Sequence, residues 1–481
     1  MLFISIEYII FLPIVFLIYW TIGYMAINDS LKLRLQNVFV VIASYVFYGW
    51  WDWRFLLLII CTSFCSWGSG LLIEKAQTHN CSKFWMISNI IVNLLILGAF
   101  KYYNFFVSEF GQLLGIDTDS LLLHVILPVG VSFYTFQALS YSIDIYRKKI
   151  YPTKDIIAFF AFIAFFPQLV AGPIERATNL LPQFLTNRKF SYEQATDGMR
   201  QILWGLFKKM VVADNCASYV DQVWSTYPTQ TGSTLLLASI LFAFQIYGDF
   251  SGYSDIAIGT AKLFGIKLMR NFNNPYFSRD IAEFWRRWHI SLTTWFRDYV
   301  YIPLGGSRVG RWKIVRKTFV VFLISGLWHG ANWTFLLWGV YHALLFLPLI
   351  LLGKNRKYVN QVSDGRIFPS WRESIQMLLT FALVVFGWII FRATGLPSLC
   401  QFIRGLFNVS LFSIPNVDFT IVCTLISISM MLLVEWFQRY KQHGLEMMIQ
   451  RWYIRYTIYM VLIITIIIFY GKSVTFIYFQ F

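Results

Sequence analysis

The sequence predicts an all-α membrane protein that crosses the bilayer many times. Of its 481 residues, 57% are apolar and only 13% are charged, which is too little charged surface for a soluble globule of this length. Apolar runs of about 18 residues or more recur along the chain, and such runs are typical of helices that span a bilayer. We therefore expect about 11–12 transmembrane helices, together with re-entrant or interfacial helices.

The candidate spans follow one another along the whole chain, with no soluble domain between them. No period repeats and no low-complexity segment occurs, so we expect one membrane domain. In chain order, the spans lie near 3–25, 36–51, 54–74, 84–106, 121–143, 156–174, 234–250, 251–266, 318–353, 375–392, 418–437 and 456–471.

The charge and cysteine content limit the kinds of molecule and metal ion that we expect this protein to bind. The 40 lysines and arginines, against 24 aspartates and glutamates, fit basic cytoplasmic loops and contact with anionic membrane lipids. No basic tail, zinc finger or RNA-binding signature is present, so we expect no nucleic-acid partner. The six cysteines form no C-x-x-C pair and most lie in apolar surroundings, which is typical of small buried side chains rather than disulfides or metal ligands.

The most basic part of the chain, 262–317, holds twelve lysines and arginines against three acidic residues. Because basic loops stay on the cytoplasmic side, we expect this segment to face the cytoplasm. Lys32 and Arg34 follow the first span, and Arg451 and Arg455 precede the last one. Both ends of the chain are therefore expected outside.

Aromatic residues recur at helical spacing from Phe284 to Tyr299, within this basic segment. Polar residues, among them Arg286, Arg287 and Arg297, occupy the other positions. The pattern predicts an amphipathic helix that lies at the cytoplasmic interface or dips into it. By itself, this pattern is also typical of a simple lipid-surface anchor.

One apolar stretch, 318–353, is too long for a single straight span. As one helix it would measure roughly 54 Å, whereas the hydrocarbon core is about 30 Å thick. The chain must therefore break, and "GLWHGANW", with its two glycines, predicts the place. A helix that starts after Lys317 puts His329 about 18 Å deep, near the middle of the bilayer.

A histidine side chain at that depth in the bilayer is costly unless other polar groups lie beside it. Ser325 and Asn332 share its helix face, and Gly326 and Gly330 leave room for a ligand or for another backbone. A buried structural histidine that a helix neighbour satisfies is the alternative interpretation. A metal site is not expected, because the six histidines show no paired spacing.

Other spans also carry polar residues in apolar surroundings. Several such spans in one bundle predict a lined passage. A passage is typical of transporters and of enzymes with buried sites, so two classes of function stay open. The residues are Ser132, Gln137, Asp144, Gln168, Asp249, Ser251, Ser254 and Asp255.

Several long motifs resemble a known family. The stretch "FWRRWHISLTTWFRDYVYIPLGG", followed by "LWHG", resembles the membrane-bound O-acyltransferase family. The similarity points to the bacterial branch of alginate O-acetyltransferases and teichoic-acid D-alanyl transferases. The motifs "LPVGVSFYTFQ", "FPQLVAGPI" and "DFSGYSDIAIG" are also similar to that branch, so the resemblance covers most of the chain.

The resemblance implies an acyltransferase fold around a central tunnel, as a single domain over 1–481. It implies N-terminal helices in 1–120, a catalytic core in 121–353, and C-terminal helices with a tail in 354–481. The acyl donor would be acetyl-CoA or an acyl carrier protein thioester on the cytoplasmic side, with no tightly bound cofactor and no metal. The enzyme would lie in the bacterial inner membrane.

The site residues that the resemblance implies are two histidines and their neighbours. His329, in the WHG motif, would be the general base, a role that suits an imidazole near neutral pH. His289 would line the cytoplasmic mouth of the tunnel, with Arg286 and Arg287 as contacts for the donor phosphates or carrier. The remaining residues expected to line the substrate site are Ser325, Trp328 and Asn332.

The chain closes with "FIYFQF", residues 476–481. Aromatic residues beside a last span are common at the membrane interface, which is one interpretation. The resemblance implies another, in which the tyrosine of a terminal F-x-Y-F motif accepts the acyl group. Tyr478 would then pass it to an extracytoplasmic serine-esterase-like acyltransferase that modifies a polysaccharide or peptidoglycan. A phenol with its usual pKa of about 10 would need His329 as base.

Two other functions stay open on the sequence. A transporter or flippase could use the polar passage without chemistry, although the sequence shows no inverted repeats of the kind typical of transporters. An O-acyltransferase that acts on a lipid or protein hydroxyl would carry the same motifs.

Overall fold

Helices make up most of the described chain, and none of the described residues forms a strand. The computed structural model describes residues 1–123, 128–170, 172–306, 310–446, 451–470, 474 and 476–477. In chain order, the α-helices are α1 (Ile6–Tyr24), α2 (Asp29–Gly49), α3 (Leu56–Lys75), α4 (His79–Lys101), α5 (Tyr103–Leu114), α6 (Val131–Tyr146), α7 (Ile156–Ala164), α8 (Phe166–Leu169), α9 (Ala177–Phe184), α10 (Tyr192–Leu206), α11 (Asp214–Ser225), α12 (Gly232–Leu263), α13 (Ile281–Arg287), α14 (Ile290–Phe296), α15 (Arg311–His329), α16 (Trp333–Leu351), α17 (Trp371–Arg392), α18 (Leu396–Leu406), α19 (Phe419–Phe437) and α20 (Trp452–Phe469).

Short capping motifs fix where several helices begin. The Thr78 hydroxyl accepts a hydrogen bond from the Cys81 N–H at the start of α4. At the start of α17, Ser370 and Glu373 cap each other's backbone N–H groups. These bonds satisfy N–H groups of the first helical turn, which have no partner inside the helix.

Nine helices among the described residues are long and apolar enough to cross a membrane: α1, α2, α3 with the turn before it, α4, α12, α16, α17, α19 and α20. Several of them expose large apolar side chains, such as Leu57, Leu95 and Ile468. Such surfaces suit lipid rather than water. The prediction of an all-α protein with many membrane spans is therefore confirmed.

All six cysteines are free, but most of them are not buried. Cys216 is buried, whereas Cys61, Cys65, Cys81 and Cys400 are exposed. The prediction of buried cysteines was wrong for these four, because apolar neighbours in a membrane protein indicate lipid contact as readily as burial.

The described chain divides into two units; two of the three boundaries fall within α10 and α12, and the third follows α12. The first unit comprises 1–199 and 257–269, and the second comprises 200–256 and 270–481.

Buried polar side chains join helices in the first unit. Asn89 of α4 donates to the Ser142 hydroxyl of α6 at 2.6 Å, and the Ser69 hydroxyl of α3 lies 3.0 Å from the same oxygen. Hydrogen bonds between helices of this kind pair polar groups that cannot reach water. Gln168, which was expected to line a passage, donates to the Phe162 carbonyl at 2.8 Å.

The helix α12 is continuous over 32 residues, so the prediction of two spans at 234–250 and 251–266 was wrong. The glycine in its middle allows a close approach instead of a break. A Cβ at Gly252 would lie 2.8 Å from the Gly205 carbonyl oxygen, and a Cβ at Gly205 would lie 2.6 Å from the Gly252 carbonyl oxygen. Small residues at such a contact let the backbones of α10 and α12 pack closely.

The prediction of one amphipathic helix from Phe284 to Tyr299 was also wrong. The chain leaves the helical conformation between α13 and α14, where His289 has a φ of 43°. Aromatic residues on both sides of this break are buried, including Trp288, whose ring centre lies 4.9 Å from that of Trp388. The aromatic side chains therefore fill the interior of the second unit, because the break turns them inward instead of along one interfacial face.

The predicted break in the 318–353 stretch is confirmed. Helix α15 ends at His329, and Asn332 caps the start of α16. A Cβ at Gly326 would collide with the Phe335 carbonyl, and one at Gly339 would lie 2.5 Å from the Phe322 carbonyl oxygen. The glycines near His329 were expected to leave room for a ligand or for another backbone. At Gly326 the room is taken by the backbone of α16.

Candidate active site

His329 lies at the C-terminal end of α15, in an aromatic enclosure. Its ring centre is 4.8 Å from that of Trp328, 5.1 Å from that of Trp338 and 5.1 Å from that of Phe391. Only 6% of the residue is exposed. The three aromatic rings therefore shield the imidazole from solvent.

The two polar residues expected beside His329 have different surroundings. Ser325 is buried one turn earlier on α15. The Asn332 side chain caps α16, because its oxygen accepts from the Thr334 N–H at 3.0 Å and its amide donates to the Thr394 carbonyl at 2.9 Å. Asn332 therefore fixes the turn that carries His329.

His289 occupies the break between α13 and α14, and its ring orientation is fixed. Nδ1 lies 3.0 Å from Asn271 Oδ1, which also accepts from the Ser291 hydroxyl at 2.9 Å. Asn271 donates in turn from its amide to the Ser254 hydroxyl at 3.2 Å. Because Asn271 Oδ1 can only accept, Nδ1 carries the hydrogen and Nε2 of the neutral ring holds the lone pair.

The Nε2 atom of His289 is buried, and no hydrogen-bond partner reaches it among the described residues. Burial lowers the pKa of His289 to about 3, so the ring is neutral at physiological pH. A neutral imidazole with a bare nitrogen can accept a hydrogen bond or a proton from a bound molecule.

Trp328 connects the two histidines. Its ring centre lies 5.9 Å from that of His289 and 4.8 Å from that of His329. The structure therefore brings His289, Trp328 and His329 into one buried cluster, as expected of residues in a common site. Across the described ranges, no three histidine, cysteine, aspartate or glutamate side chains come together as a metal site would require.

The two arginines of α13 hold neighbouring segments. Arg286 donates to the carbonyls of Asn355 and Tyr358 at 2.7 and 2.6 Å. Arg287 pairs with Glu283 at 2.8 Å and donates to the Gln361 side chain at 2.8 Å. Both guanidinium groups thus tie α13 to the loop before α17, and part of their donor capacity is already used.

Two buried lysines in the π-helical segment Phe207–Ala213 were not among the predicted site residues. Lys208 lies 2.5 Å from Asp255, and Lys209 lies 2.7 Å from Asp214. A signal was present in "GLFKKMVVAD", because Lys209 and Asp214 are five residues apart, which is the hydrogen-bond spacing of a π-helix. Burial raises the pKa of Asp214 to about 7, and the Lys209 ammonium opposes this shift.

Tyr478 lies outside the described residues. Of the tail, the structure describes Val474, Phe476 and Ile477. The Phe476 ring is fully buried, 6.0 Å from Phe250, and the Phe250 ring lies 4.6 Å from that of His289. Phe476 therefore lies inside the second unit, close to the histidine cluster, and is not an interfacial aromatic residue.

Comparisons with known proteins agree on one family. The sequence model of the membrane-bound O-acyltransferase family matches residues 152–389, a range that includes both histidines. The chain is 39% identical to a probable alginate O-acetylase of Pseudomonas aeruginosa, over 78% of this chain and 70% of the relative.

Two further relatives extend the comparison. The chain is 34% identical to a peptidoglycan O-acetyltransferase of Helicobacter pylori, over 82% of this chain and 77% of the relative. It is 28% identical to a teichoic acid D-alanyltransferase of Bacillus subtilis, over 55% of this chain and 68% of the relative. The chain therefore belongs to the membrane-bound O-acyltransferase family, as its two histidine motifs predicted.

Proposed function

We propose that this enzyme moves an acetyl group from a cytoplasmic thioester across the bacterial inner membrane, for O-acetylation of a polysaccharide or peptidoglycan outside. The observation that carries the proposal is the buried cluster of His289, Trp328 and His329 within the range that the family model matches. The relatives named as an alginate O-acetylase and a peptidoglycan O-acetyltransferase support this class of acceptor.

His329 is the general base in this proposal. The accepting hydroxyl attacks the thioester carbonyl, a C–O bond forms and the C–S bond breaks. The hydroxyl proton passes to the imidazole and then to the departing thiolate, so the ring returns to its neutral state. The aromatic enclosure of His329 supports this role, because it keeps out water that would hydrolyse the thioester.

His289, Arg286 and Arg287 form the donor side of the proposed site. The bare Nε2 of His289 would accept a hydrogen bond from the donor, while Asn271 holds the ring in place. The guanidinium N–H groups that Arg286 and Arg287 do not use internally would contact the phosphates of acetyl-CoA or of a carrier protein. Ser325 and Trp328 would line the acyl path, and Asn332 would hold its turn.

Tyr478 is the proposed acyl acceptor within the chain. Its phenol would attack the donor with His329 as base, and the acetyl-tyrosine would then serve a secreted serine-esterase-like acyltransferase. The described end of the tail supports this route, since Phe476 packs beside Phe250, which itself contacts His289.

The test of the proposal is the substitution His329→Ala in purified protein reconstituted in lipid. Loss of a general base predicts that acetyl transfer from acetyl-CoA falls by about 100-fold or more, while folding is retained. The matched control is His342→Ala, because His342 is also buried and its ring centre lies 5.0 Å from that of the same Trp338. Activity above about a tenth of wild type in His329→Ala would exclude the base role. Equal losses in both variants would indicate a packing effect.

A further inference from the structure

We propose that Lys209, Asp214 and Asp249 form a docking site for the C-terminal tail of this chain and hold it by its main chain. These three residues are called the tail clamp here. The clamp positions the residue that follows Ile477, and this positioning role rests on the proposed relay through Tyr478. The docking itself does not depend on that relay.

The contacts of the clamp are made to main-chain atoms of the tail. The Lys209 ammonium donates to the Val474 carbonyl at 2.9 Å. The Ile477 N–H donates to Asp249 Oδ2 at 2.7 Å. Recognition of main-chain atoms gives affinity without regard to the side chains at these two positions.

The buried charges of Lys209 and Asp249 depend on the tail for some of their hydrogen bonds. The Lys209 ammonium has three donors, and it lies 2.7 Å from Asp214, 2.8 Å from Asp249 and 2.9 Å from the Val474 carbonyl. The Lys209 and Asp249 side chains are only 1% and 4% exposed. Without the tail, one ammonium donor and one Asp249 oxygen would be buried without these partners, which is costly. The cluster is therefore complete only when the tail is docked.

One side chain of the tail adds specificity. Phe476 lies between the two main-chain contacts, and its ring centre is 4.5 Å from that of Tyr253. Tyr253 also lies under the Lys209 ammonium, at 5.5 Å from its ring centre. The site thus binds one aromatic side chain, that of Phe476, together with the carbonyl of Val474 before it and the N–H of Ile477 after it.

The test measures docking directly, with no acyl donor or acceptor present. Ile477 is 2% exposed, so a cysteine introduced as Ile477→Cys should react slowly with a maleimide. The readout is labelling of the C-terminal peptide by mass spectrometry, which separates it from the natural cysteines. Adding Lys209→Met should raise the labelling rate at least ten-fold. Lys208→Met is the matched control, because Lys208 is the adjacent buried lysine and pairs with Asp255 instead.

A second variant, Phe476→Ala, tests the docking of the tail even if Lys209→Met does not fold. Phe476→Ala removes the aromatic anchor from the tail alone and should also raise labelling of Ile477→Cys at least ten-fold. An unchanged labelling rate in a folded Lys209→Met protein, or in Phe476→Ala, would overturn the docking site.

The positioning role has its own readout. In Lys209→Met, binding of acetyl-CoA to the histidine site should be unchanged, while acetylation of the C-terminal peptide should fall at least ten-fold. Equal acetylation in Lys209→Met and wild type would overturn the positioning role. Suppose instead that a Tyr478→Phe protein acetylates polymer at the full rate while its Ile477→Cys still reacts slowly with maleimide. That result would overturn the relay and leave the docking site intact.

Discussion

Replacing His289 with asparagine tests whether this ring is neutral in the folded protein. Asparagine tolerates the left-handed backbone at this position, where φ is 43°. Its amide can also donate to Asn271 Oδ1, as the histidine Nδ1 does. The variant therefore removes the titrating group and keeps the local hydrogen bond.

The magnitude follows from the shifted pKa. Burial lowers the pKa of His289 to about 3, whereas an unfolded histidine titrates near 6.5. Between these values the unfolded state binds more protons, so the free energy of unfolding falls as the pH falls. From pH 7.0 to pH 5.0 this one group lowers the unfolding free energy of the wild-type protein by about 2 kcal/mol.

The assay is unfolding in detergent, followed by tryptophan fluorescence at both pH values. Wild type should lose about 2 kcal/mol more than His289→Asn over this interval, because other titrating groups such as Asp214 are common to both proteins. Equal pH dependence in wild type and His289→Asn would refute the neutral, buried imidazole.

Two further outcomes are expected. Tyr478→Phe should stop polymer acetylation and abolish the acyl adduct on the C-terminal peptide, whereas Tyr470→Phe, just after α20, should not; wild-type rates in Tyr478→Phe would leave the tail as an anchor. Arg286→Gln should raise the KM for acetyl-CoA several-fold at low salt and less at high salt, because salt screens charge contacts. Arg311→Gln removes an exposed arginine and is the matched control. An unchanged KM in Arg286→Gln would restrict Arg286 to its loop contacts.

Span length and helix-weakening residues predicted much of the fold. The break before α16 could be predicted because 318–353 is longer than a bilayer is thick. The division of α12 into two spans was wrong, because the stretch forms one helix of 32 residues, longer than a single span requires. The close contact between Gly205 and Gly252 could not be predicted, because it depends on how α10 packs against α12.

The candidate site was predictable in its motifs and less so in its contacts. The sequence motif placed His329 within the range that the family model matches, and family membership favours an enzyme over a transporter without chemistry. The break at His289 was hidden, because aromatic residues keep helical spacing across it and no glycine or proline marks the left-handed residue. Lys208 and Lys209 were missed because a helical pattern of 3.6 residues per turn does not place Lys209 beside Asp214.

In the π-helical segment Phe207–Ala213, the number of residues per turn decides whether the buried Lys209 and Asp214 side chains lie next to each other. A π turn amounts to an α-helix with one inserted residue, and here that insertion sets the register of Lys209 against Asp214. Deleting one residue, such as Val211, would restore α-helical spacing and rotate Lys209 by about 100° relative to the chain that follows. A one-residue deletion would therefore separate the ion pair even though every charged side chain were retained.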